Sequence, residues 1–499
     1  MKKSIAIIGA GAAGLASAVR LLKDGYNVDI YEKEKTVGGK MNRIEEKGFK
    51  FDVGPTIVMM PEVYREVFEY AGKNPDDYIS MERLDPIYSL QYGINERYTV
   101  SSDLTKLTPF LESLSEKDAE GYFKYIYSTY KRYLIAKNYF IEKSFRSAKD
   151  FYNPEMLVKA LQLKTFNNAY NEISKYVKDE KLRKMLSFQT LYIGISPHNG
   201  PSIYTIIPMI ETIYGVWYIK GGMYSMAQGM AKLIKELGGN IYTDSPVEEI
   251  IINSGKATGI KTNGINKNYD YIIANSDFPY TMKNLIKDIK NKRKYTDKKI
   301  DSMDYSCSVF LMYLGINKKV HSAEVHNISF ADDFEKNISD IFEGIDPKDP
   351  SVYVHVPSKI DPGMAPEGKE SLYVLVPVPE LKTRGKKWTQ EDIKNYKKIV
   401  YNKMKSMKGF ENTENFVEVE KIYTPNDFEE KFNAYNGATF GLAPTLMQSN
   451  YFRPHNKSSY TDNLYFCGSS VHPGAGVPIV LTSAKLAVSE LEKDDRDSL

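Results

Sequence analysis

The first 32 residues constrain the fold of this chain more than any other stretch. A short apolar run at residues 5–8 precedes glycines in the spacing G-x-G-x-x-G, at Gly9, Gly11 and Gly14. A helical pattern follows, and a second apolar segment then ends on Glu32. A buried strand, a glycine turn, a helix and a strand in this order are typical of a Rossmann dinucleotide-binding unit.

Each part of this unit has a physical role. Gly9 permits a tight turn, Gly11 lets the backbone approach a diphosphate, and Gly14 lets the helix pack against the strand. The start of the helix presents unpaired N–H groups and the positive end of its dipole to the phosphates. Glu32 lies 23 positions after Gly9, close to the roughly 20 expected for an acid that accepts a ribose hydroxyl. The sequence therefore predicts that the chain binds a dinucleotide.

Length and composition limit the class of protein. A chain of 499 residues with 42% hydrophobic and 26% charged residues is expected to form at least two folded domains. The net charge of +3 argues against nucleic-acid binding. Two distant cysteines, Cys307 and Cys467, suggest no disulfide framework and favour a reducing compartment.

Two observations concern location. The first strand begins within four residues of Met1, which leaves no room for a signal peptide. The most apolar stretch, residues 203–219, is interrupted by Pro208, Glu211 and Gly215, so we expect a buried element there and no membrane span. The sequence therefore predicts a cytoplasmic protein.

The nucleotide-binding character fades near residue 84 and returns at Gly221-Gly222-Met223. We therefore predict a discontinuous α/β architecture in which a Rossmann-like domain is interleaved with a second domain. The first would comprise residues 1–83, 221–300 and 456–499. A substrate-binding domain, with a mixed sheet and a helical part at 84–200 for which membrane association is one interpretation, would comprise residues 84–220 and 301–455.

A second glycine-rich turn lies near the end of the chain. Residues 464–467 read as a strand, Gly468, Gly474 and Gly476 surround a turn, and a helix is expected from Pro478 to residue 491. Two helix N-termini beside glycines suit a ligand with two polar regions. FAD has such regions, namely its diphosphate and the N1/C2 edge of the flavin.

Residues 122–150 form a basic, aromatic-rich segment, with seven basic residues against two acidic ones. Aromatic residues recur there at steps of three and four, which predicts an amphipathic helix. Such a helix can anchor a protein at a membrane surface. The alternative is a solvated basic face above an ordinary core stripe, and the pattern leaves both interpretations open.

Other catalytic patterns are missing from the sequence. The six histidines show no H-E-x-x-H pattern and no ligand pairing with either cysteine, so no metal site is expected. No G-x-S-x-G sequence precedes a helix.

The glycine motifs, Glu32, the turn at residues 51–56, Gly221-Gly222-Met223 and the segment 472–478 occur in an order that resembles bacterial carotenoid desaturases of the phytoene desaturase type. The resemblance covers nearly the whole chain. Segments 52–61, 188–194 and 425–428 resemble most the members that act on the C30 polyene 4,4′-diapophytoene (dehydrosqualene). One departure is Lys40, where the family usually has arginine; lysine keeps the charge but loses the bidentate fork.

The resemblance implies a flavin amine-oxidase-like architecture with FAD as the only tightly held cofactor. It also implies a hydrophobic polyene substrate and the product 4,4′-diaponeurosporene. A peripheral position at the inner face of the cell membrane is a separate prediction, which rests on the basic aromatic helix and on a substrate that lives in bilayers. The cofactor-binding residues predicted from the motifs and the resemblance are Gly9, Gly11, Ala12, Ala13, Gly14, Glu32, Gly38, Gly39, Lys40, Gly54, Pro55, Thr56, Val247, Gly468, Gly474, Gly476, Val477 and Pro478.

The expected reaction transfers a hydride from an allylic carbon to flavin N5 and removes a proton from the neighbouring carbon. Asp52 is a candidate base because its turn lies near the flavin in this family, and His472 is a candidate for polarising the flavin. Structural roles for both side chains are open alternatives. The alternative functions are a C40 phytoene desaturase, a carotenoid terminal oxidase, an amine oxidase and a non-redox prenyl or lipid chaperone.

Overall fold

The computed structural model describes residues 2–497. In chain order its strands are β1 (Ser4–Ile8), β2 (Asn27–Tyr31), β3 (Arg43–Glu46), β4 (Phe49–Asp52), β5 (Met81–Arg83), β6 (Tyr88–Tyr92), β7 (Glu96–Val100), β8 (Trp217–Ile219), β9 (Asn240–Tyr242), β10 (Val247–Asn253), β11 (Lys256–Thr262), β12 (Ile265–Asn268), β13 (Tyr271–Ala274), β14 (Ser308–Ile316), β15 (His326–Ser329), β16 (Val352–His355), β17 (Glu370–Val378), β18 (Val417–Tyr423) and β19 (Leu464–Phe466).

The α-helices, in the same order, are α1 (Ala12–Lys23), α2 (Pro61–Tyr70), α3 (Leu104–Leu114), α4 (Glu116–Ala136), α5 (Ala148–Phe151), α6 (Pro154–Gln162), α7 (Ala169–Ile173), α8 (Glu180–Ser187), α9 (Ile206–Tyr214), α10 (Tyr224–Glu236), α11 (Phe278–Tyr280), α12 (Ile289–Lys292), α13 (Asp297–Asp301), α14 (Phe334–Glu343), α15 (Leu381–Arg384), α16 (Gln390–Lys405), α17 (Pro425–Phe432) and α18 (Val477–Asp497).

A five-stranded parallel sheet contains the glycine motif. Its strand order is β19-β13-β1-β2-β9. The central strands β1 and β13 are buried almost throughout, as expected for parallel strands covered on both faces. On one face Ile5, Ile7 and Ile273 pack in a cluster with Leu15 of α1 and Ala484 of α18. The two ends of the chain therefore share one core.

A seven-stranded mixed sheet forms the second layer, in the order β18-β14-β17-β16-β15-β6-β7. Its pairs are antiparallel except for the parallel pair of β15 and β6. One face of this sheet packs against α16, where Tyr396, Val400 and Met404 are buried. The opposite face is turned towards the glycine turns and forms part of a cavity wall.

The predicted fold class is confirmed: a Rossmann-like α/β part is combined with a mixed sheet and a helical part. Strands of the parallel sheet lie within residues 4–31, 240–274 and 464–466, and strands of the mixed sheet within 88–100 and 308–423. The last helix is longer than predicted: α18 continues to Asp497, whereas the sequence predicted an end at residue 491. Among residues 2–497, no helix is both long and apolar enough to cross a membrane.

Candidate cofactor and substrate site

One edge of the parallel sheet opens into a large cavity. Parallel strands have their carboxyl ends at the same edge, which is where ligands of such sheets bind. Gly9, Glu32, Asn275 and Gly468 follow β1, β2, β13 and β19 and all line this cavity. The cavity contains about 2530 Å³ of space outside the protein atoms, including the open space at its mouth.

The first glycine turn has no room for side chains. A methyl group on Gly14 would lie 2.1 Å from the carbonyl oxygen of Gly9, and one on Gly11 would lie 2.9 Å from Nδ2 of Asn275. Gly9 itself has a φ of 95°, which favours glycine. Helix α1 begins at Ala12, and in the described structure no side chain caps its first N–H groups. Backbone donors are therefore available for a phosphate in the cavity.

Glu32 is buried at the end of β2. One carboxylate oxygen accepts the N–H of Ala10 at 2.8 Å and the other accepts the N–H of Glu34 at 3.0 Å. Burial raises the pKa of Glu32, and these two hydrogen bonds oppose that shift. Each oxygen can accept a further hydrogen bond, so the side chain is fixed in place and still able to accept from ribose hydroxyls.

The C-terminal turn reaches the same cavity. Gly468, Gly476, Val477 and Pro478 line it, beside the start of α18. The turn is held by the buried guanidinium of Arg453, which donates only to backbone carbonyls, those of Leu442, Gln448, Ser469 and Val471, at 2.6–3.1 Å. Two helix starts, one near each end of the chain, thus border one cavity. Two helix N-termini at one cavity, and an acid fixed after β2, are what FAD requires.

Lys40 lies in the cavity wall between the two turns. Its Nζ donates to the carbonyl oxygen of Thr439 at 2.7 Å. Burial lowers the pKa of Lys40, and the neighbouring Asp277 opposes that shift. Asp277 accepts the hydroxyl of Ser470 and, at 3.0 Å, the N–H of Tyr435. Lys40 and Asp277 therefore lie half-buried next to each other where the two turns meet.

The rest of the cavity wall is mainly apolar and aromatic. It is contributed by the inner face of the seven-stranded sheet and by the segment between α8 and α9. The side chains are Ile57, Phe188, Leu191, Tyr192, Ile328, Phe330, Phe334, Val352, Tyr353, Tyr373, Leu375 and Pro377. One pair of polar groups in this half is hydrogen-bonded: the hydroxyls of Thr56 and Tyr353 lie 2.7 Å apart. This wall suits an apolar ligand.

The structure brings fifteen of the eighteen predicted cofactor residues to the cavity. These are Gly9, Gly11, Ala12, Glu32, Gly38, Gly39, Lys40, Gly54, Pro55, Thr56, Val247, Gly468, Gly476, Val477 and Pro478. The other three lie behind its wall. Ala13 and Gly14 are packed inside α1, and Gly474 lies beside Arg453.

The two candidate catalytic side chains, Asp52 and His472, lie outside the cavity lining. Asp52 accepts the N–H groups of Met223 and Tyr224 at the start of α10, and burial raises its pKa to about 7. His472 contacts the carbonyl oxygen of Lys143 through Nε2 at 2.9 Å, and burial lowers its pKa to about 3. Both side chains thus have structural partners in this conformation.

Sequence reasoning missed several residues of the site. Asn275 and Asp277 follow β13. The position of this strand in the sequence was a usable signal for them, because the carboxyl ends of all parallel strands meet at one edge. No sequence pattern identified Tyr353, Tyr373 or Phe330 as site residues. Tyr353 and Tyr373 belong to β16 and β17, and Phe330 follows β15. The sequence pattern does not reveal the order of these strands in the mixed sheet.

The geometry agrees with comparisons to known proteins. Residues 12–491 match the family described as flavin containing amine oxidoreductase. The chain is 49% identical over 495 residues to a 4,4′-diapophytoene desaturase (4,4′-diaponeurosporene-forming) of Staphylococcus aureus strain Newman, covering 98% of this chain and 99% of that one.

Solved structures share the fold. An oxidoreductase from Methanosarcina mazei superposes with a TM-score of 0.67 at 17% identity, covering 98% of this chain and 100% of the other. Cyclohexylamine oxidase from Brevibacterium oxydans superposes with a TM-score of 0.60 at 12% identity, covering 99% and 100%. The predictions of an oxidoreductase and of FAD as its cofactor are confirmed. The chain belongs to the family of flavin-containing amine oxidoreductases.

Proposed function

We propose that this protein is an FAD-dependent desaturase that introduces successive double bonds into 4,4′-diapophytoene and forms 4,4′-diaponeurosporene. The observation that carries the proposal is a single cavity with two different halves. One half is bordered by glycine turns and helix starts, and the other by apolar and aromatic side chains. The relative that is 49% identical along almost the full chain is named for this conversion.

The apolar half supports a hydrocarbon substrate. A polyene offers no hydrogen-bonding groups, so its binding energy must come from burial of apolar surface, at about 25 cal/mol per Å². Phe188, Phe330 and Leu375 provide such surface. Aromatic faces can also stabilise a positive charge that develops on the substrate.

The chain's own residues would position the cofactor and keep water out. The N–H groups at the start of α1 would bind the diphosphate, Glu32 would accept from the ribose, and the turn before α18 would supply donors to the flavin edge. FAD, when bound, accepts the hydride that leaves the substrate. The half-buried Lys40 and Asp277 add polar groups beside the two turns.

Co-expression with an enzyme that makes 4,4′-diapophytoene tests this function. We expect a yellow pigment, identified as 4,4′-diaponeurosporene by chromatography, and purified protein that carries FAD. Colourless diapophytoene left unconverted by FAD-loaded protein would contradict the proposal. Conversion of C40 phytoene alone, oxygen insertion into a preformed pigment, or peroxide release with amines would each assign a different reaction to the same scaffold.

We also propose that the protein lies at the inner face of the cell membrane, on a surface formed by α4, α6 and the segment after α6. Among residues 2–497, eight of the twenty exposed large apolar side chains fall within residues 123–166. Tyr127, Leu161 and Phe166 are 63%, 67% and 78% exposed. Exposed lysines at positions 124, 131 and 164 surround them, which suits anionic lipid headgroups.

Two features connect this surface to the site. Tyr122, Tyr125 and Tyr133 of α4 belong to the core, so the aromatic stripe expected from the sequence faces inward and the exposed face of α4 carries other residues. Met59 lines the cavity and also packs with Tyr133 in a cluster that includes α9. Met59 and its cluster therefore lie between the cavity and helix α4. This short separation suits entry of a substrate from a bilayer that contacts α4.

Liposome flotation tests the membrane proposal. Wild-type protein should float with vesicles that contain anionic lipid, and the fraction bound should fall as salt rises. Replacing Tyr127, Leu161 and Phe166 together by serine should abolish flotation. The matched control, serine at the exposed Ile265 and Ile289, should float like wild type. Wild-type protein that stays at the bottom at every salt concentration would refute the proposal.

A further inference from the structure

A chain of hydrogen bonds leads from the cavity wall to a buried imidazole. The hydroxyl of Thr56 lies 2.7 Å from that of Tyr353, and the hydroxyl of Tyr353 lies 2.8 Å from Nδ1 of His326. Thr56 and Tyr353 both line the cavity, whereas His326 lies behind them and is 1% exposed. A proton that reaches the first hydroxyl can therefore pass to the imidazole by two short transfers.

The strand register of the mixed sheet produces this alignment. His326 of β15 is paired with His355 of β16, and Tyr353 lies two residues before His355. All three side chains therefore project from the same face, as diagonal neighbours across the two strands. The rings of His326 and His355 stack with centroids 4.8 Å apart.

His326 is available as a proton acceptor. Burial and the neighbouring His355 hold the pKa of His326 well below its usual range, so the imidazole is neutral. In the tautomer with hydrogen on Nε2, Nδ1 accepts the hydroxyl of Tyr353, which in turn accepts that of Thr56. A lone pair on the oxygen of Thr56 then remains for a proton donor in the cavity.

We propose that Thr56, Tyr353 and His326 form the relay that accepts the proton lost in each desaturation, with Nδ1 of His326 as the final acceptor. This inference rests on the proposed function. Once a hydride has left the allylic carbon with its electron pair and reduced the flavin, a C–H bond of the neighbouring carbon breaks and its electron pair forms the new double bond. The proton moves to Thr56, whose own proton moves to Tyr353, and that of Tyr353 moves to His326.

The energetics allow a weak base in this role. An allylic cation adjacent to a C–H bond is a far stronger acid than imidazolium, so a neutral imidazole with a depressed pKa still accepts its proton. A base that stays neutral at rest also suits an apolar cavity, because a buried anion would carry a large desolvation cost. After the product leaves, the proton returns through the same two hydroxyls to water.

Other polar groups near the cavity are less well placed. The carboxylate of Asp52 is directed to the start of α10 and does not line the cavity. The Nζ of Lys40 is already bonded to the carbonyl oxygen of Thr439, between the two turns of the cofactor half. Glu211 lies behind Tyr192 and is bonded through one oxygen to Gln189 and Tyr88, at 3.0 and 3.3 Å. It is the principal competitor.

Single-turnover formation of the new double bond by FAD-loaded enzyme, followed by the absorbance of the desaturated product in H₂O and in D₂O, tests the relay, with diapophytoene supplied in vesicles. We expect Tyr353→Phe and Thr56→Val to slow product formation by a factor of about 100 with little change in the substrate concentration that gives half of the maximal rate, and to remove the slowing by D₂O that is expected for wild type. Thr56→Ser keeps the hydroxyl and should therefore show the wild-type rate and the wild-type slowing by D₂O. Tyr396→Phe removes a buried hydroxyl on the opposite face of the mixed sheet and serves as control with wild-type rates.

A second measurement needs no turnover. In ¹⁵N-histidine NMR spectra of the resting protein, Nδ1 of His326 should show the shift of a hydrogen-bonded acceptor, and Tyr353→Phe should change that shift. Loss of the D₂O effect in Glu211→Gln, with Tyr353→Phe behaving like wild type, would overturn the relay and assign the proton to Glu211. Wild-type protein that holds FAD but does not desaturate would instead contradict the proposed function.

Discussion

The two halves of the cavity are built in different ways. The cofactor half consists mainly of backbone: glycine turns, helix starts and strand ends, with clearances near 2–3 Å at Gly14 and Gly11. The substrate half consists of side chains such as Phe330 and Tyr373 on a mixed sheet. The first half therefore has a geometry that few substitutions satisfy, whereas the second can be reshaped one side chain at a time.

This difference explains how one scaffold serves several reactions. The flavin presents the same phosphates and ring edges in every relative, so its half needs the same backbone. The substrate half has no such fixed ligand. The structures that share the fold with this chain at 12% and 17% identity are consistent with a retained architecture and a changed lining.

The sharpest test of the cofactor half is Gly14→Ala. The added methyl would meet the carbonyl oxygen of Gly9 at 2.1 Å, so α1 must move away from β1. We expect a loss of more than about 3 kcal/mol in the free energy of unfolding and no retained flavin. Urea unfolding and the flavin absorbance of purified protein measure both.

Gly25→Ala is the control for this substitution. Gly25 has a φ of 96° and no atom within 4 Å of the added methyl group, so only backbone strain of about 1–2 kcal/mol is expected. Flavin content should be unchanged. Equal flavin loss in the two variants would contradict the view that clearance at the glycine turn decides cofactor binding.

A buried acid gives the substrate half a dependence on pH. Burial raises the pKa of Glu211 to about 7, against about 4.3 for an ordinary Glu. Its stabilising contribution is therefore complete below about pH 4 and is lost as pH rises through 7. The glutamine in Glu211→Gln does not titrate. Between pH 4 and 8 the free energy of unfolding of this variant should therefore rise by about 3 kcal/mol relative to that of wild type.

Denaturant melts at several pH values measure this gain. Glu112→Gln, at an exposed position of α3, should follow the wild-type curve. A constant difference between Glu211→Gln and wild type at every pH would show that the carboxyl group is not buried as described.

The smallest effect is expected for a substitution that reshapes the apolar wall. Phe330→Leu keeps an apolar side chain at a cavity-lining position and should cost less than about 1.5 kcal/mol of stability. Substrate KM should rise by about fivefold, since loss of about 1 kcal/mol of apolar contact corresponds to that factor. Flavin content should not change. A loss of flavin would show that the substrate half also determines cofactor binding, which would contradict the view that the two halves are independent.

The cofactor half was largely predictable from the sequence. Its signals are local: Gly9 to Glu32 lie within one βαβ unit, and the turn before α18 lies within 15 residues of β19. Glycine spacing, strand ends and helix starts are properties of the backbone, and short sequence patterns encode them. Lys40 was expected beside the phosphates, and the structure adds its partners Thr439 and Asp277.

The substrate half was predictable only in character. An apolar, aromatic wall follows from the chemistry of a hydrocarbon, but its members depend on how β15, β16 and β17 align. The alignment of His326 with Tyr353 is a property of strand register, which no local pattern specifies. The position of Asp52 depends on a contact with α10, more than 170 residues away in the chain.

The order of the strands in the parallel sheet has a consequence for biosynthesis. Strand β19 pairs with β13, and α18 packs against α1. Because a chain is made from its amino end, residues 464–497 emerge from the ribosome after the other four strands of this sheet. The nascent protein therefore lacks one border of its flavin pocket until these residues have been made, and loading with flavin is expected to follow their synthesis.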